Sequence, residues 1–232
     1  MVADYAVLLR LATLESVLPA IEFEHCHWMT DSESARLSTM RSETRRQQFI
    51  AGHWLARCMA AERTDSLPEE WRIVAAANGV PELIRRDPAA GQGMHLSLSH
   101  SGDHVAAAIA PFPIGIDIEI PRKQRDLLAL ADYTFSPEES AELHAVPADE
   151  QSALFYRFWT LKEASGKRDG HGLRPELARQ QRALAASSET AEAISWQTGN
   201  VFVALAGKSG MQVREIDICA PARPLYWRFV SV

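Results

Sequence analysis

Residues 114–119 read Ile-Gly-Ile-Asp-Ile-Glu, and this alternation constrains the fold more than any other stretch of the chain. A strand turns successive side chains to opposite faces and rises about 3.3 Å per residue. Ile114, Ile116 and Ile118 therefore share one face, while Asp117 and Glu119 share the other, roughly 7 Å apart. The isoleucine face is suited to burial, and a polar second face is compatible with solvent. The two carboxylates are either a strand end at the solvent boundary or half of a cation site.

A chain of 232 residues can form one large domain or two small ones, each with its own core, so no disulfide is needed. Cys26, Cys58 and Cys219 form no C-x-x-C pair, which leaves neither a zinc site nor a redox motif legible. Their odd number points to a reducing compartment, and a cytoplasmic location is expected. The opening residues lack a basic start and long apolar run, and no later run is long enough to span a membrane. A formal net charge of -6 argues against broad nucleic-acid binding but leaves local basic patches open.

No repeat or low-complexity tract is present, although residues 75–77 and 183–193 are Ala-rich. Phe49, Ile50, Trp54, Leu55, Cys58 and Met59 recur at helical spacing, predicting a helix from Thr44 to Arg63 with Thr44 and Gln47 as its capping box. Residues 71–95 carry turn formers, including Asn78-Gly79, Pro81, Asp87-Pro88, Gly91 and Gly93. Residues 96–99 and 105–110 then read as strands joined by Ser101-Gly102-Asp103. Ser136-Pro137-Glu138-Glu139 starts a short helix, with serine as cap, proline at the first turn and Glu139 closing the box. After Pro147 a second long helix is expected over 149–168, turning Leu154, Phe155, Phe158 and Trp159 inward and stopping at Gly170 and Gly172. The remainder predicts an Ala-rich helix over 176–194 and strands near 194–198, 201–206 and 213–218. Helices and strands alternate without a βαβ rhythm, which gives an α+β class.

On the second long helix Phe155, Trp159, Glu163 and Lys167 follow at four-residue intervals, so the acid and the lysine lie one turn apart on one face. A surface ion pair beside a core stripe accounts for them equally well. His100, within Leu96-Ser97-Leu98-Ser99-His100-Ser101-Gly102, ends a strand where hydroxyls and amides could collect an anion. There is no G-x-S-x-G elbow, no P-loop and no dinucleotide fingerprint.

Taken in order, Ser99-His100-Ser101, Gly115-Ile116-Asp117-Ile118-Glu119, Phe135-Ser136-Pro137-Glu138-Glu139 and Trp159-Thr160-Leu161-Lys162-Glu163-Ala164-Ser165-Gly166-Lys167 resemble the 4′-phosphopantetheinyl transferases. The likeness is to the larger, pseudo-dimeric type that activates surfactin synthetase, and it covers roughly residues 45–175. It implies two similar α/β-mixed halves related by a pseudo-twofold axis, 1–112 and 113–232, with the active site in the cleft between them. It also implies Mg²⁺, or Mn²⁺ in its place, held by Asp117, Glu119 and Glu163 together with the pyrophosphate of coenzyme A. Glu163 would act as base toward a serine of an apo carrier protein, and Lys167 would assist the departing phosphate. Lys162, His100 and Ser99 would lie at phosphate oxygens. A monomer would suffice, since both halves lie in one chain.

The resemblance departs at Asn78-Gly79-Val80-Pro81, where relatives place a basic residue for the 3′-phosphate of coenzyme A. Arg36, Arg41, Arg45, Arg46, Arg85 and Arg86 are the possible substitutes, Arg45 and Arg46 foremost. The carrier is expected on the segment with Leu127, Leu128, Leu130, Tyr133 and Phe135, which reads equally as a buried helix face. A catalytically silent relative that binds carrier or coenzyme A, and a Mg²⁺-dependent phosphohydrolase, stay open beside the transferase.

Overall fold

The computed structural model describes residues 6–20, 27–76, 79–87, 89, 93–121, 125–217 and 223–232. Cys26, Ala77, Asn78, Pro88, Gly91, Ile218 and Cys219 lie outside the described residues. In chain order the elements are β1 (Ala6–Thr13), α1 (Leu14–Val17), α2 (Asp31–Ser38), α3 (Glu43–Thr64), β2 (Trp71–Ala75), β3 (Pro81–Arg85), β4 (Met94–Ser101), β5 (His104–Ala110) and β6 (Gly115–Glu119). They continue as α4 (Leu127–Thr134), α5 (Pro137–Ala145), α6 (Ala148–Arg168), α7 (Pro175–Ala178), β7 (Gln181–Ala185), β8 (Ala193–Thr198), β9 (Val201–Ala206), β10 (Gln212–Asp217) and β11 (Leu225–Ser231). The class is α+β, as expected. Among the described residues no helix is long and apolar enough to cross a membrane.

The chain divides into two units, Met1–Pro113 with Gln212–Ile218, and Ile114–Met211 with Cys219–Val232. The expected boundary thus lies one residue early, and the expected second half loses a strand, because β10 pairs in parallel with β1. The first unit holds the sheet β10-β1-β5-β4-β3-β2, and the second holds β6-β9-β8-β11-β7. One plan recurs in both. The opening strand (β1 or β6) pairs with the second arm of a later hairpin (β4–β5 or β8–β9), and the long helix between them packs on that hairpin. In the second sheet β11 takes the place that β3 has in the first.

In the first unit α3 buries Ile50, Leu55 and Met59 in a core shared with Leu83, Leu96, Val105 and Ile109. Its cap is Ser42, not Thr44. Ser42 has the extended backbone a cap needs, and its Oγ accepts from the Arg45 N–H at 3.4 Å, whereas Thr44 is already helical. A buried ionic cluster ties α2 to α3. Glu33, 4 % exposed, accepts from Arg57 Nη2 at 2.7 Å and lies 2.6 Å from His53 Nδ1. Burial raises the Glu33 pKa, but the hydrogen bonds from His53 and Arg57 outweigh it and hold the carboxyl at about 2. The Cys58 thiol is pushed up to about 11 by burial, which makes it a poor nucleophile.

In the second unit the Ser136–Glu139 box forms as expected, with Glu139 N donating to Ser136 Oγ at 3.2 Å and Ser136 N to Glu139 Oε2 at 3.1 Å. Helix α6 carries Phe155, Phe158 and Leu161 into a core with Phe135, Leu143, Phe202 and Ala204. The Ala-rich helix over 176–194 is corrected to one helical turn, α7, followed by β7. Ala183 and Leu184 pair with Phe229 and Arg228 of β11, and this pairing outweighs the helix propensity of alanine.

Candidate active site

Among the described residues strand β6 is an edge strand paired with β9, and its register places Asp117 opposite Ala204 and Glu119 opposite Phe202. Opposed residues share a face, so both carboxylates lie on the side where Ala204 and Phe202 join the core beneath α6. Ile114, Ile116 and Ile118 on the other face are at most 1 % exposed. The carboxylate face is not open solvent either, since Asp117 is only 5 % exposed. Gly115 makes this closeness possible. A Cβ there would stand 1.9 Å from the Ala164 carbonyl oxygen and 2.6 Å from the Arg168 nitrogen, so only glycine lets α6 lie directly on the strand.

Helix α6 brings Glu163 and Lys167 to this face. Lys167 Nζ donates to Asp117 Oδ1 at 2.8 Å and to the Ile116 carbonyl at 3.0 Å. The Glu163 carboxyl is pushed up to about 7, first by burial and then by the charges of Asp117 and Glu119, with Lys167 pulling the other way. Arg125 Nη1 lies 4.0 Å from Glu119 Oε1. Sequence reasoning missed Arg125, because it follows the strand in an irregular stretch where no periodicity assigns a direction. The structure thus gathers Asp117, Glu119, Glu163 and Lys167, and gives Glu163 a proton affinity near neutrality, useful for accepting or releasing a proton.

All-oxygen donors with a surplus of negative charge suit a hard cation such as Mg²⁺, which binds a few carboxylates and completes its shell with water or phosphate. Among the described residues no group of three or more His, Cys, Asp or Glu side chains is arranged to hold a metal ion by itself. Asp117 is instead bridged to Lys167. The chemistry of the donors fits the ion, with the remaining coordination left to other ligands.

Lys162 is a correction. It was expected at phosphate oxygens, but it is 2 % exposed and its ammonium is fully engaged. Nζ pairs with Glu139 Oε2 at 2.7 Å and donates to the Ala178 carbonyl at 2.8 Å and to the Gln181 carbonyl. Glu139, 0 % exposed, also accepts the Ala183 N–H at 2.8 Å on Oε1. A helical residue adjacent to Glu163 points about 100° away from it, so the motif's two neighbours serve different surroundings. Here Lys162 fastens α6 to α5 and β7.

The other phosphate-binding candidates belong to the first unit. Ser99 and His100 are consecutive on β4 and face opposite ways, Ser99 buried at 8 % exposure and His100 exposed. Gln48 Nε2 donates to the Gly102 carbonyl at 2.7 Å, which ties the first turns of α3 to the end of β4 near His100. Arg45 and Arg46 precede Gln48 on α3. Arg45 is exposed, and Arg46 donates to the Leu37 carbonyl at 3.1 Å. Val80 sits in a turn where its carbonyl accepts from Ala76 N at 2.9 Å. Phe135 is fully buried, and Leu127, Leu128 and Leu130 pack on the second core, so that segment is mainly a core face. Tyr133 alone of these residues is strongly exposed, at 65 %.

Residues 113–214 match a family model described as the 4′-phosphopantetheinyl transferase superfamily. The chain is similar to the 4′-phosphopantetheinyl transferase psf-1 of Bacillus pumilus, 39 % identical over 108 residues that cover 47 % of this chain and 44 % of the relative. It is also similar to the 4′-phosphopantetheinyl transferase AcpT of Escherichia coli, 35 % identical over 127 residues, covering 54 % and 59 % respectively. HetI of a Nostoc species, another 4′-phosphopantetheinyl transferase, is 31 % identical over 146 residues, covering 62 % and 61 %. The matches therefore span about half of the length of these curated relatives, from 44 % to 61 %. Among solved structures, the Helicobacter pylori holo-[acyl-carrier-protein] synthase in complex with coenzyme A aligns with a TM-score of 0.35 and 11 % identity, over 45 % of this chain and 97 % of that one.

Proposed function

We propose that this chain moves the phosphopantetheine arm of coenzyme A onto a serine of an apo carrier protein, releasing adenosine 3′,5′-bisphosphate; the match of residues 113–214 to the family model described as the 4′-phosphopantetheinyl transferase superfamily supports this reading. The observation that carries the reading is the meeting of Asp117, Glu119 and Glu163 with Lys167 on one face of β6 and α6. Asp117, Glu119 and Glu163 would hold Mg²⁺. When bound, the ion neutralises pyrophosphate charge and polarises the phosphorus under attack.

The chain's own groups then have separate tasks. Glu163, held near neutrality by burial and its acidic neighbours, takes the proton of the carrier serine. Lys167 has a compact ammonium already at the carboxylate face, from which it donates to the oxygen of the departing phosphate. His100 and Ser99, with Arg45 and Arg46, are proposed for the phosphates of coenzyme A, in place of the basic residue that Val80 replaces. The same reading has the enzyme working in the cytoplasm as a monomer, with Tyr133 available to a carrier.

Intact-mass analysis tests the proposal. An apo acyl carrier protein incubated with this protein, coenzyme A and Mg²⁺ should gain about 340 Da, the mass of the transferred phosphopantetheine group. The gain should vanish with EDTA and with Glu163→Gln. Release of free phosphopantetheine without carrier modification would instead identify a hydrolase. Binding of coenzyme A with neither product would identify a silent relative and direct attention to Val80.

A further inference from the structure

In each unit a short helix opens with a capping box whose acidic member also reaches outside the box. Glu33 closes the box with Thr30 and accepts Arg57 Nη2 of α3 at 2.7 Å, and Glu139 closes the box with Ser136 and pairs with Lys162 Nζ of α6 at 2.7 Å. All four charged side chains are buried. The cation then reaches the first residue of a strand at the edge of its sheet. Arg57 Nε donates to the Trp71 carbonyl of β2 at 3.1 Å, and Lys162 Nζ donates to the Gln181 carbonyl of β7. The residue before each strand turns its carbonyl to the inner neighbour, Glu70 accepting Arg86 N and Gln180 accepting Val232 N. Trp71 and Gln181 therefore turn their carbonyls outward, where an edge strand leaves such groups without a ladder partner. Each long helix is locked to one sheet edge by a buried ion pair, and in the second unit that edge is the one opposite β6.

Beyond the lock the units part. Glu62 of α3 accepts from Arg10 of β1 at 3.0 and 2.7 Å, whereas Lys167 of α6 donates to Asp117 of β6 at 2.8 Å. Arg10 and Asp117 hold the same place in their sheets. The pairs Ser101–His104 and Thr198–Val201 close the two hairpins, and Arg10 and Asp117 lie opposite Ala107 and Ala204, in the same register from those turns. Two positions earlier, opposite Ile109 and Ala206, the first unit has Leu8 and the second has Gly115. A Cβ at Gly115 would stand 1.9 Å from the Ala164 carbonyl oxygen, so α6 rests on strand backbone where the first unit has a leucine side chain.

A movement of α6 is therefore passed to β6 with no side chain between them to absorb it. The lock sits on Lys162, one residue before Glu163. Rotating α6 by about 10° moves a side-chain tip roughly 6 Å from the helix axis by about 1 Å. Misplacement of that size can cost about a hundredfold in rate.

We infer that Glu139 and Lys162 are positioning residues: their buried pair fixes the rotation of α6, and with it the approach of Glu163 and Lys167 to Asp117 and Glu119. Lys162 acts through the helix and Glu139 through Lys162. The kinetic consequence rests on the transferase reading, and the geometric one rests on the lock alone.

Transfer kinetics, urea unfolding and crystal structures test it on the wild type, on Lys162→Arg, and on the double variant Lys162→Met with Glu139→Gln. The double variant strands no charge, so its unfolding midpoint should return close to that of the wild type. A pair that only stabilises would return the rate as well. Positioning requires that kcat stay about tenfold or more below wild type while the KM for coenzyme A changes less than about threefold. It also requires the Cα–Cα distance between Glu163 and Asp117 to change by about 0.5 Å or more. Lys162→Arg should keep kcat within about threefold, since Arg57 makes the same two kinds of contact in the first unit. A double variant with wild-type kcat, or with α6 unmoved on β6, would overturn the inference, as would a loss in Lys162→Arg equal to that of the double variant. If the wild type transfers no phosphopantetheine, the transferase reading fails, and the displacement of α6 in the double variant alone decides this inference.

Discussion

Replacing Glu163 with glutamine should make the metal-free protein more stable while abolishing its proposed activity. The folded carboxyl titrates at about 7 against 4.5 for the ordinary group, a difference of roughly 3 kcal/mol between its two protonation states. Because the side chain is half-buried and screened in part by solvent, about 1–3 kcal/mol is the usable range. The folded pKa is raised, so the stability tied to the neutral form is complete below 4.5 and is lost as pH rises through about 7. Glutamine stays neutral throughout. Its advantage should therefore be small near pH 5 and full near pH 8, about 2–12 °C in melting temperature for a chain of this size. The assay is thermal denaturation of both proteins at the two pH values with EDTA, repeated with Mg²⁺. The ion should raise the melting point of the wild type much more than that of the variant. An equal melting difference at both pH values, or a variant less stable than wild type near pH 8, would refute the argument that Glu163 carries uncompensated charge.

Three further outcomes are expected. Lys162→Met should destabilise by about 3–5 kcal/mol in urea unfolding, because it strands the buried Glu139 carboxylate, whereas Lys162→Met combined with Glu139→Gln should recover most of that loss. Gly115→Ala should cost about 3 kcal/mol or more and disrupt the Lys167–Asp117 contact, since the added methyl overlaps the backbone of α6. It should lower both the melting temperature and the rate of phosphopantetheine transfer. Glu33→Gln should flatten the acid side of the stability profile: the folded pKa is depressed to about 2, so the wild type draws up to about 3 kcal/mol from this group above pH 4.5 and loses it between 4.5 and 2.

The second unit was legible where pattern and packing agree. The alternation at 114–119, the Ser136–Glu139 box and the aromatic stripe of α6 each specify local geometry, and each forms as read. The convergence of Asp117, Glu119 and Glu163 was also legible, but through resemblance to a family and not through spacing, since β6 and α6 are joined by a long excursion. Alanine-rich sequence misled at 176–194, because a strand partner more than forty residues downstream decides the matter. Lys162 misled for a related reason. Its motif neighbour faces the cluster, but the buried Glu139 that holds it lies on another helix, and no periodicity announces that pairing. Strand β1 went unread because its neighbours, β5 and β10, are both distant in sequence.

The route of β10 has a consequence for how the protein is made. Strand β1 emerges first, yet its outer partner is encoded at 212–217, after nearly the whole second unit. At about 5–20 residues per second, translation of the roughly 200 residues between the two strands takes roughly 10–40 s. Throughout it the apolar β1 stays a sheet edge with unpaired amides and carbonyls, a template for pairing with another nascent chain. Ribosomes that stop short of residue 212 would therefore release products that keep this edge open permanently, and chaperone demand should be set by the interval between the two strands more than by the stability of the finished fold.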